Sequence, residues 1–209
     1  MIPLATGSNQ SSPGPARIVR TKPLAECATP HEALSELCAG FAGAENLTFD
    51  CQEVMPEEMP SLPRQLLVHQ KHMTRTLHAH YGTPVDVHVQ ERHQDDNLYS
   101  RKIFLTLEET PLVVEHGLVR MDFRYMSAKV KASILEEHAP LGSILINQNV
   151  LRRIQPRWYL TFPRGSLVLE WFNCQTAGPL YGRLGTIYCN HEPAIELLEI
   201  VTAIQGRQS

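Results

Sequence analysis

The sequence predicts an α+β fold built on a single antiparallel sheet of about six strands. Candidate strands follow one another through short turns, and strands joined in that way pair antiparallel. Candidate helices come before and within the strand series rather than after every strand, so we expect them to pack over one face of the sheet. A chain of 209 residues, of which 43% are hydrophobic and 20% charged, is long enough to bury such a core.

The chain divides near Ser61 into two parts. Residues 1–60 are interpreted as an N-terminal extension and residues 61–203 as the compact domain. The first 16 residues are rich in Ser, Gly and Pro, a composition typical of disordered segments. Later in the extension, Thr29 as a cap and Pro30 at the first helical position predict a short helix.

The first half of the compact domain is predicted to begin with a helix. Apolar residues at helical spacing predict it over residues 62–81, and Gly82 is expected to end it. Alternating apolar and polar residues predict a strand at 84–90. Two more strands are predicted within residues 100–121, around a turn at 108–111.

The second half of the domain is predicted to continue with helical segments and then strands. Ser127 is expected to cap a helix over residues 127–138, and a further helical turn is expected at "PLGSILI". Four apolar runs are interpreted as strands, with a tight turn before the last one. These runs are residues 152–162, 166–172, 182–190 and 194–203.

Composition limits the classes of partner. The formal net charge of -3, with scattered lysines and arginines, argues against binding to nucleic acid or to an anionic membrane surface. We find no apolar run of roughly 18 residues, the length of a membrane span. The five cysteines are odd in number and none has C-x-x-C spacing, which is typical of free thiols in a reducing cytosol. We therefore expect a cytoplasmic protein.

The common cofactor motifs are not found in this sequence. His69, His72 and His80 lie on the predicted helix at a spacing that can share a metal ion, but the pattern is loose and lacks an accompanying acid. No nucleophile elbow, P-loop or dinucleotide-binding glycine motif is present. We therefore expect neither a metal nor a cofactor.

The remaining candidates for chemistry are charged residues inside apolar strands. They are Arg101, Arg183 and Glu199, the last within "ELLEIVTAI". One interpretation is a buried Arg–Glu ion pair, or an edge strand whose charged face meets water. The other is a closed site in which arginine holds an anion and glutamate moves a proton. The residues alone leave both open.

Four stretches in register resemble the chorismate pyruvate-lyase family. They are "LLVHQKHMTRTLHAHYGTPVDVHV", "YSRKIFL", "APLGSIL" and "HEPAIELLEIVT", which begin at residues 66, 99, 139 and 191. Their order and approximate spacing agree over residues 62–203. The resemblance implies a single antiparallel sheet that closes with its helices around a buried ligand.

The resemblance also implies roles for individual residues. Arg101 would grip the substrate carboxylate, and the backbone amide of Leu141 would contact the ligand. Met73 would pack on the ring, and Glu199 would assist proton transfer. Arg183 is our own candidate for a second carboxylate, from its strand position. The implied reaction converts chorismate to 4-hydroxybenzoate and pyruvate without a cofactor, and the family suggests a monomer.

The sequence departs from the family pattern at two places. Glu199 follows Pro193 by six residues, where ubiquinone-pathway members have five, so Glu196 is an alternative acid. Those members carry an arginine where this chain reads Glu115-His116-Gly117. Two alternatives to the lyase remain: a non-catalytic, sensor-type domain that binds an aromatic acid, and an enzyme that gives 3-hydroxybenzoate. The superfamily includes the ligand-sensing domains of regulators, but nothing in the N-terminal segment resembles a helix-turn-helix.

Overall fold

One antiparallel sheet of seven strands organises the protein. The computed structural model describes residues 22–47 and 49–202, so the disorder predicted for residues 1–16 lies outside the described residues. The strand order is β1-β5-β6-β7-β4-β3-β2. This confirms the predicted α+β class, with seven strands rather than about six. The strands are β1 (Gln52–Glu53), β2 (Val85–Asp95), β3 (Leu98–Leu107), β4 (Val113–Asp122), β5 (Arg152–Phe162), β6 (Leu180–Cys189) and β7 (Glu192–Val201).

Six α-helices in the described residues accompany the sheet. Two of the predicted helix caps are confirmed. The Thr29 side chain accepts a hydrogen bond from the Glu32 N–H, and the Ser127 side chain accepts one from the Val130 N–H. The helices are α1 (Pro30–Cys38), α2 (Ser61–Leu67), α3 (Met73–Tyr81), α4 (Ala128–Leu135), α5 (Leu141–Asn147) and α6 (Leu167–Trp171). None of these helices has the length and apolar character needed to span a bilayer.

Helices cover both faces of the sheet, not one alone. The front face carries alternate residues such as Arg101, Val119 and Leu197, and it packs against α2, α3, α4 and α5. The back face carries the intervening residues, such as Leu118 and Leu198, and it packs against α1 and α6. The strands are therefore buried on both sides, which is why several read as almost continuous apolar runs.

The segment before the predicted domain boundary lies on the back face. Its Leu24 is fully buried, and the Leu24 N–H donates to Glu196, whose carboxylate also pairs with Arg120. Arg157 donates to the carbonyls of Leu24 and Cys27. Residues 22–38 thus complete the core on that face, and the boundary near Ser61 stays a prediction.

The single helix predicted over residues 62–81 is wrong, because it is two helices with a break between them. The break follows from a long-range contact: Arg183 donates to the carbonyls of Leu67 and His69, which turn away from helical bonding. The predicted end is confirmed, since Gly82 takes the left-handed conformation at φ +76°.

The strand predicted at residues 166–172 is also wrong, because this segment forms α6. Ser166 caps the helix by accepting from the Leu169 N–H, and Gly165 makes the preceding turn at φ +75°. A short apolar run is ambiguous between a buried strand and a buried helix, and the cap decides here. The short β1, which pairs with β5, was not predicted from the sequence.

Candidate ligand-binding site

Arg101 is a fully buried cation that pairs with no carboxylate of the described residues. It lies on β3 at 0% exposure, and none of its three guanidinium nitrogens has a hydrogen-bond partner among the described residues. Burial lowers its pKa, which the Tyr99 hydroxyl and the Glu137 carboxylate partly oppose. Those two groups are engaged with each other, since Tyr99 donates to Glu137. An unpaired buried charge is strongly unfavourable, so an anion at this guanidinium would be stabilising.

The neighbours of Arg101 toward β4 are apolar, whereas on the β2 side Arg92 lies opposite it, with Glu137 bonded to Arg92 and Tyr99. In the sheet register Arg101 lies opposite Val119 on β4, which in turn lies opposite Leu197 on β7. Ile103 follows on the same face of β3, and all three neighbours are buried. An anion bound here would therefore have its apolar body against the sheet, where low polarity strengthens its attraction to the guanidinium.

Arg183, in contrast, is fully engaged. Its Nε donates to Glu199 Oε2 at 2.5 Å, and both side chains are buried. Its terminal nitrogens donate to the carbonyls of Leu67 and His69 at 3.0 and 2.9 Å, and to that of Lys71 at 3.5 Å. Of the two interpretations that the sequence left open, the buried Arg–Glu ion pair is the one that Arg183 and Glu199 form. The role of Arg183 toward a second carboxylate stays a prediction, and such a ligand would compete with Glu199.

Glu199 and Glu196 lie on opposite faces of the sheet. Glu199 lies opposite Gly117 and Arg183 on the front face, whereas Glu196 pairs with Arg120 on the back face at 2.5 Å. The register between β6 and β7 shifts just after the hairpin, at the residue that follows Pro193. This bulge absorbs the extra residue between the proline and Glu199. Glu199 is thus on the face of Arg101, and Glu196 is not.

Glu115 is a front-face carboxyl that the sequence analysis did not place in the site. It lies on β4 opposite Val201, diagonal to Glu199, and it is 3% exposed. Burial and the neighbouring Glu199 raise its pKa well above the ordinary value, although Arg183 opposes the shift. Its Oε2 has no hydrogen-bond partner among the described residues. The signal was available, because Glu115 interrupts an apolar run just as Glu199 does.

Met73 and Leu141 begin two helices that meet over the front face. Met73 is buried in a cluster with Ile103, and Leu141 packs against the cluster that holds Val119. Their starts are in close contact, because a Cβ on Gly142 would lie 2.4 Å from Thr74 Oγ1. Met73, Leu141, Arg101 and Glu199 are therefore brought to one side of the sheet, while their roles toward a ligand stay predictions.

The three histidines considered as metal ligands are separated by the helix break. His72 Nε2 accepts a hydrogen bond from Arg152 Nε at 2.5 Å. Burial and this arginine lower the pKa of His72 to about 4. His69 lies before α3, and its ring accepts from the Lys71 N–H. Within the described residues, no three His, Cys, Asp or Glu side chains converge as metal ligands would.

Comparisons with known proteins give distant likenesses of fold. No protein-family profile and no curated protein matches the sequence. A similar solved structure is PhnF from Mycobacterium smegmatis, at 9% identity and a TM-score of 0.48 over 65% of this chain and 65% of that chain. The chain thus spans 65% of that protein's length.

Two further likenesses are to regulators of the GntR family. One is the ligand-binding domain of a putative GntR-family transcriptional regulator from Bordetella bronchiseptica, at 9% identity and a TM-score of 0.43 over 60% of this chain and 91% of that one. The other is a GntR-family regulator from Bacillus cereus, at 12% identity and a TM-score of 0.38 over 60% and 97%.

Proposed function

We propose that this domain binds a small aromatic carboxylic acid without transforming it, as a sensor-type domain does. The ligand carboxylate would pair with Arg101 between the front face of the sheet and helices α3 and α5. The observation that carries the proposal is the fully buried Arg101 guanidinium, whose nitrogens have no partner among the described residues. A guanidinium presents a planar fork that matches a carboxylate in two parallel hydrogen bonds.

An aromatic body suits the walls next to Arg101. Ile103, Val119 and Leu197 offer flat, buried apolar surface beside the guanidinium, and a ring gains from burial there by about 25 cal/mol per Å². Met73 belongs to the same cluster as Ile103, which supports its predicted contact with the ring.

The state of Glu199 supports binding rather than catalysis. A proton-transfer group must be free to take up and release a proton during turnover. Glu199 is held by Arg183 at 2.5 Å, and Arg183 is itself held by the carbonyls of the segment between α2 and α3. Protonation of Glu199 would break that buried pair, which is strongly unfavourable.

Glu115 favours a second candidate, the chorismate lyase implied by the sequence resemblance. It places a carboxyl with a raised pKa beside an ion-paired carboxylate, an arrangement that enzymes use to separate acid and base roles. In the lyase reaction the ring loses a proton at its hydroxyl-bearing carbon while enolpyruvate departs. The ring becomes aromatic, and the products are 4-hydroxybenzoate and pyruvate.

Calorimetry with 4-hydroxybenzoate tests the proposed function. The wild-type protein should bind it, and Arg101→Met should lose binding, because the aliphatic side chain keeps the packing but removes the cation. Arg124→Met is the matched control, since Arg124 is exposed and pairs with Asp122 away from the front face. Equal binding by Arg101→Met would contradict the proposal. Release of pyruvate from chorismate by the wild-type protein would replace it with the lyase.

A further inference from the structure

We infer that the interior site accepts ligands with a single negative charge, and that Glu115 selects those with an uncharged hydrogen-bonding group at the end away from Arg101. This inference rests on the proposed function, because it defines the ligand of the same site. It excludes dicarboxylic acids as good ligands. It therefore distinguishes simple aromatic hydroxy acids from a substrate with two carboxylates.

The buried cations of the described residues are paired with carboxylates, except for Arg101. Four cations are buried in the described part of the chain, and two of them, Lys102 and Arg120, lie on the back face with acidic partners. On the front face, Arg183 is neutralised by Glu199. Arg101 is the one buried cation of the described residues that lacks an acidic partner, so one carboxylate completes the balance.

A second carboxylate on the ligand would meet no further buried cation that lacks an acidic partner among the described residues. Farther along the front face it would approach Glu199 and Glu115, two residues that already act on each other electrostatically. Like charges at close range in a poorly polar interior repel strongly, and a buried charge without a partner is unfavourable in itself. The front face thus rejects the second charge at the same position where it accepts a neutral group.

The Glu115 carboxyl lies on the same face of the sheet, next to Gly117. Its Oε1 lies 3.6 Å from where a Cβ on Gly117 would be, so the side chain leans along β4 toward the end that holds Arg101. A Cβ at position 117 would also lie 3.3 Å from Ile103 Cγ1 and from the Leu198 carbonyl oxygen, so glycine lets the strand pack closely beside Glu115. The other oxygen, Oε2, is buried and without a partner among the described residues.

The protonation state of Glu115 defines what this free oxygen can bind. Burial and the nearby Glu199 raise its pKa well above the ordinary value, which favours the neutral carboxyl, and a neutral carboxyl can donate one hydrogen bond. A phenol oxygen, a carbonyl or an ether oxygen accepts such a bond, whereas an apolar group leaves Oε2 unpaired. Gly117 lies two residues, or about 7 Å, from Val119, the residue opposite Arg101, a distance comparable to the length of a substituted ring.

A panel of three aromatic acids tests the inference by calorimetry. The ligands are benzoate, 4-hydroxybenzoate and benzene-1,4-dicarboxylate, and the proteins are wild type, Glu115→Gln and Glu115→Leu. Wild type should bind 4-hydroxybenzoate about tenfold tighter than benzoate, and the dicarboxylate at least about a hundredfold more weakly than 4-hydroxybenzoate. Glu115→Gln keeps a donor and should keep the preference, whereas Glu115→Leu should bind the two monoacids equally.

The outcomes separate this inference from the proposed function. If folded wild-type protein binds none of the three acids, the proposed function itself fails. If it binds the dicarboxylate as tightly as 4-hydroxybenzoate, the inference fails while the proposed function stands, and no variant is needed to see this. Retention of the preference by Glu115→Leu would also overturn the role of Glu115.

Discussion

Glu199 on β7 and Arg183 on β6 lie opposite each other on neighbouring strands, with the carboxylate Oε2 2.5 Å from the guanidinium Nε. Arg101, two strands away on the same face, has no such partner among the described residues. The front face thus holds one satisfied arginine and one unsatisfied arginine. Under the proposed function, the first arginine stabilises the fold and the second binds a ligand, and substitutions at the two positions should therefore have different effects.

Removal of the satisfied arginine should destabilise the protein. Arg183→Met leaves Glu199 buried without its partner, so we expect the free energy of unfolding in urea to fall by about 3–5 kcal/mol. The double variant Arg183→Met/Glu199→Leu should recover much of that loss, because it removes both charges. An unchanged stability in the single variant would mean that the ion pair is not formed in solution.

Removal of the unsatisfied arginine should have the opposite effect on the ligand-free protein. Arg101→Met replaces an unpaired buried cation by an apolar side chain of similar length, so we expect the unfolding free energy to rise by about 1–4 kcal/mol while ligand binding is lost. Thermal or urea unfolding measures this. A destabilised Arg101→Met protein would show that Arg101 has a structural partner.

The contact between α3 and α5 should be intolerant of a methyl group. Gly142→Ala would place a Cβ 2.4 Å from Thr74 Oγ1 and 3.1 Å from His72 Cβ, so we expect a loss of about 1–3 kcal/mol in urea unfolding. Adding Thr74→Ala removes the closer atom and should restore part of the loss. Gly178→Ala is the matched control, since no atom lies within 4 Å of its added Cβ.

His116 should make stability fall in acid. Burial lowers its pKa to about 4, so between about pH 6.5 and 4 the unfolded chain binds a proton that the folded protein does not. The unfolding free energy therefore falls as the pH drops through that window, by about 3 kcal/mol in full. His116→Phe keeps a ring against Phe104 and Phe172 and removes this contribution.

The pH comparison isolates His116 because the other buried groups are common to both proteins. His72, whose pKa is lowered in the same direction, and Glu115, whose pKa is raised, stay in place in His116→Phe. Urea unfolding at pH 7, 6 and 5 should show a smaller loss for the variant than for wild type. Parallel curves would contradict the burial of a neutral His116.

The positions of three buried charges could be predicted from the sequence. Arg101, Arg183 and Glu199 each interrupt an apolar run, and the period of two in a strand places Glu199 on the face of Leu197 and Val201, as the structure has them. Glu115 carries the same signal, because it too interrupts an apolar run, but it lies outside the stretches that resemble the lyase family. Its proximity to Glu199 depends on the register of β4 with β7, which composition does not define.

The features that were not predicted depend on contacts between residues far apart in the chain, on a one-residue shift in strand register, or on a helix cap. The helix break between Leu67 and Met73 exists because Arg183, more than a hundred residues later, takes the carbonyls of that segment. The bulge after Pro193 adds one residue without a local signal and so decides which face Glu199 takes. In α6, the Ser166 cap outweighed a strand-like run of apolar residues.

A crystal structure of the protein grown with 4-hydroxybenzoate would show whether Arg101 binds the carboxylate of a small aromatic acid. We expect the ligand carboxylate to lie on the front face, with two oxygens about 2.7–2.9 Å from two Arg101 nitrogens and Arg183 still paired with Glu199. A carboxylate bound to Arg183 or to a surface cation, with Arg101 left unpartnered, would contradict the proposed role of Arg101.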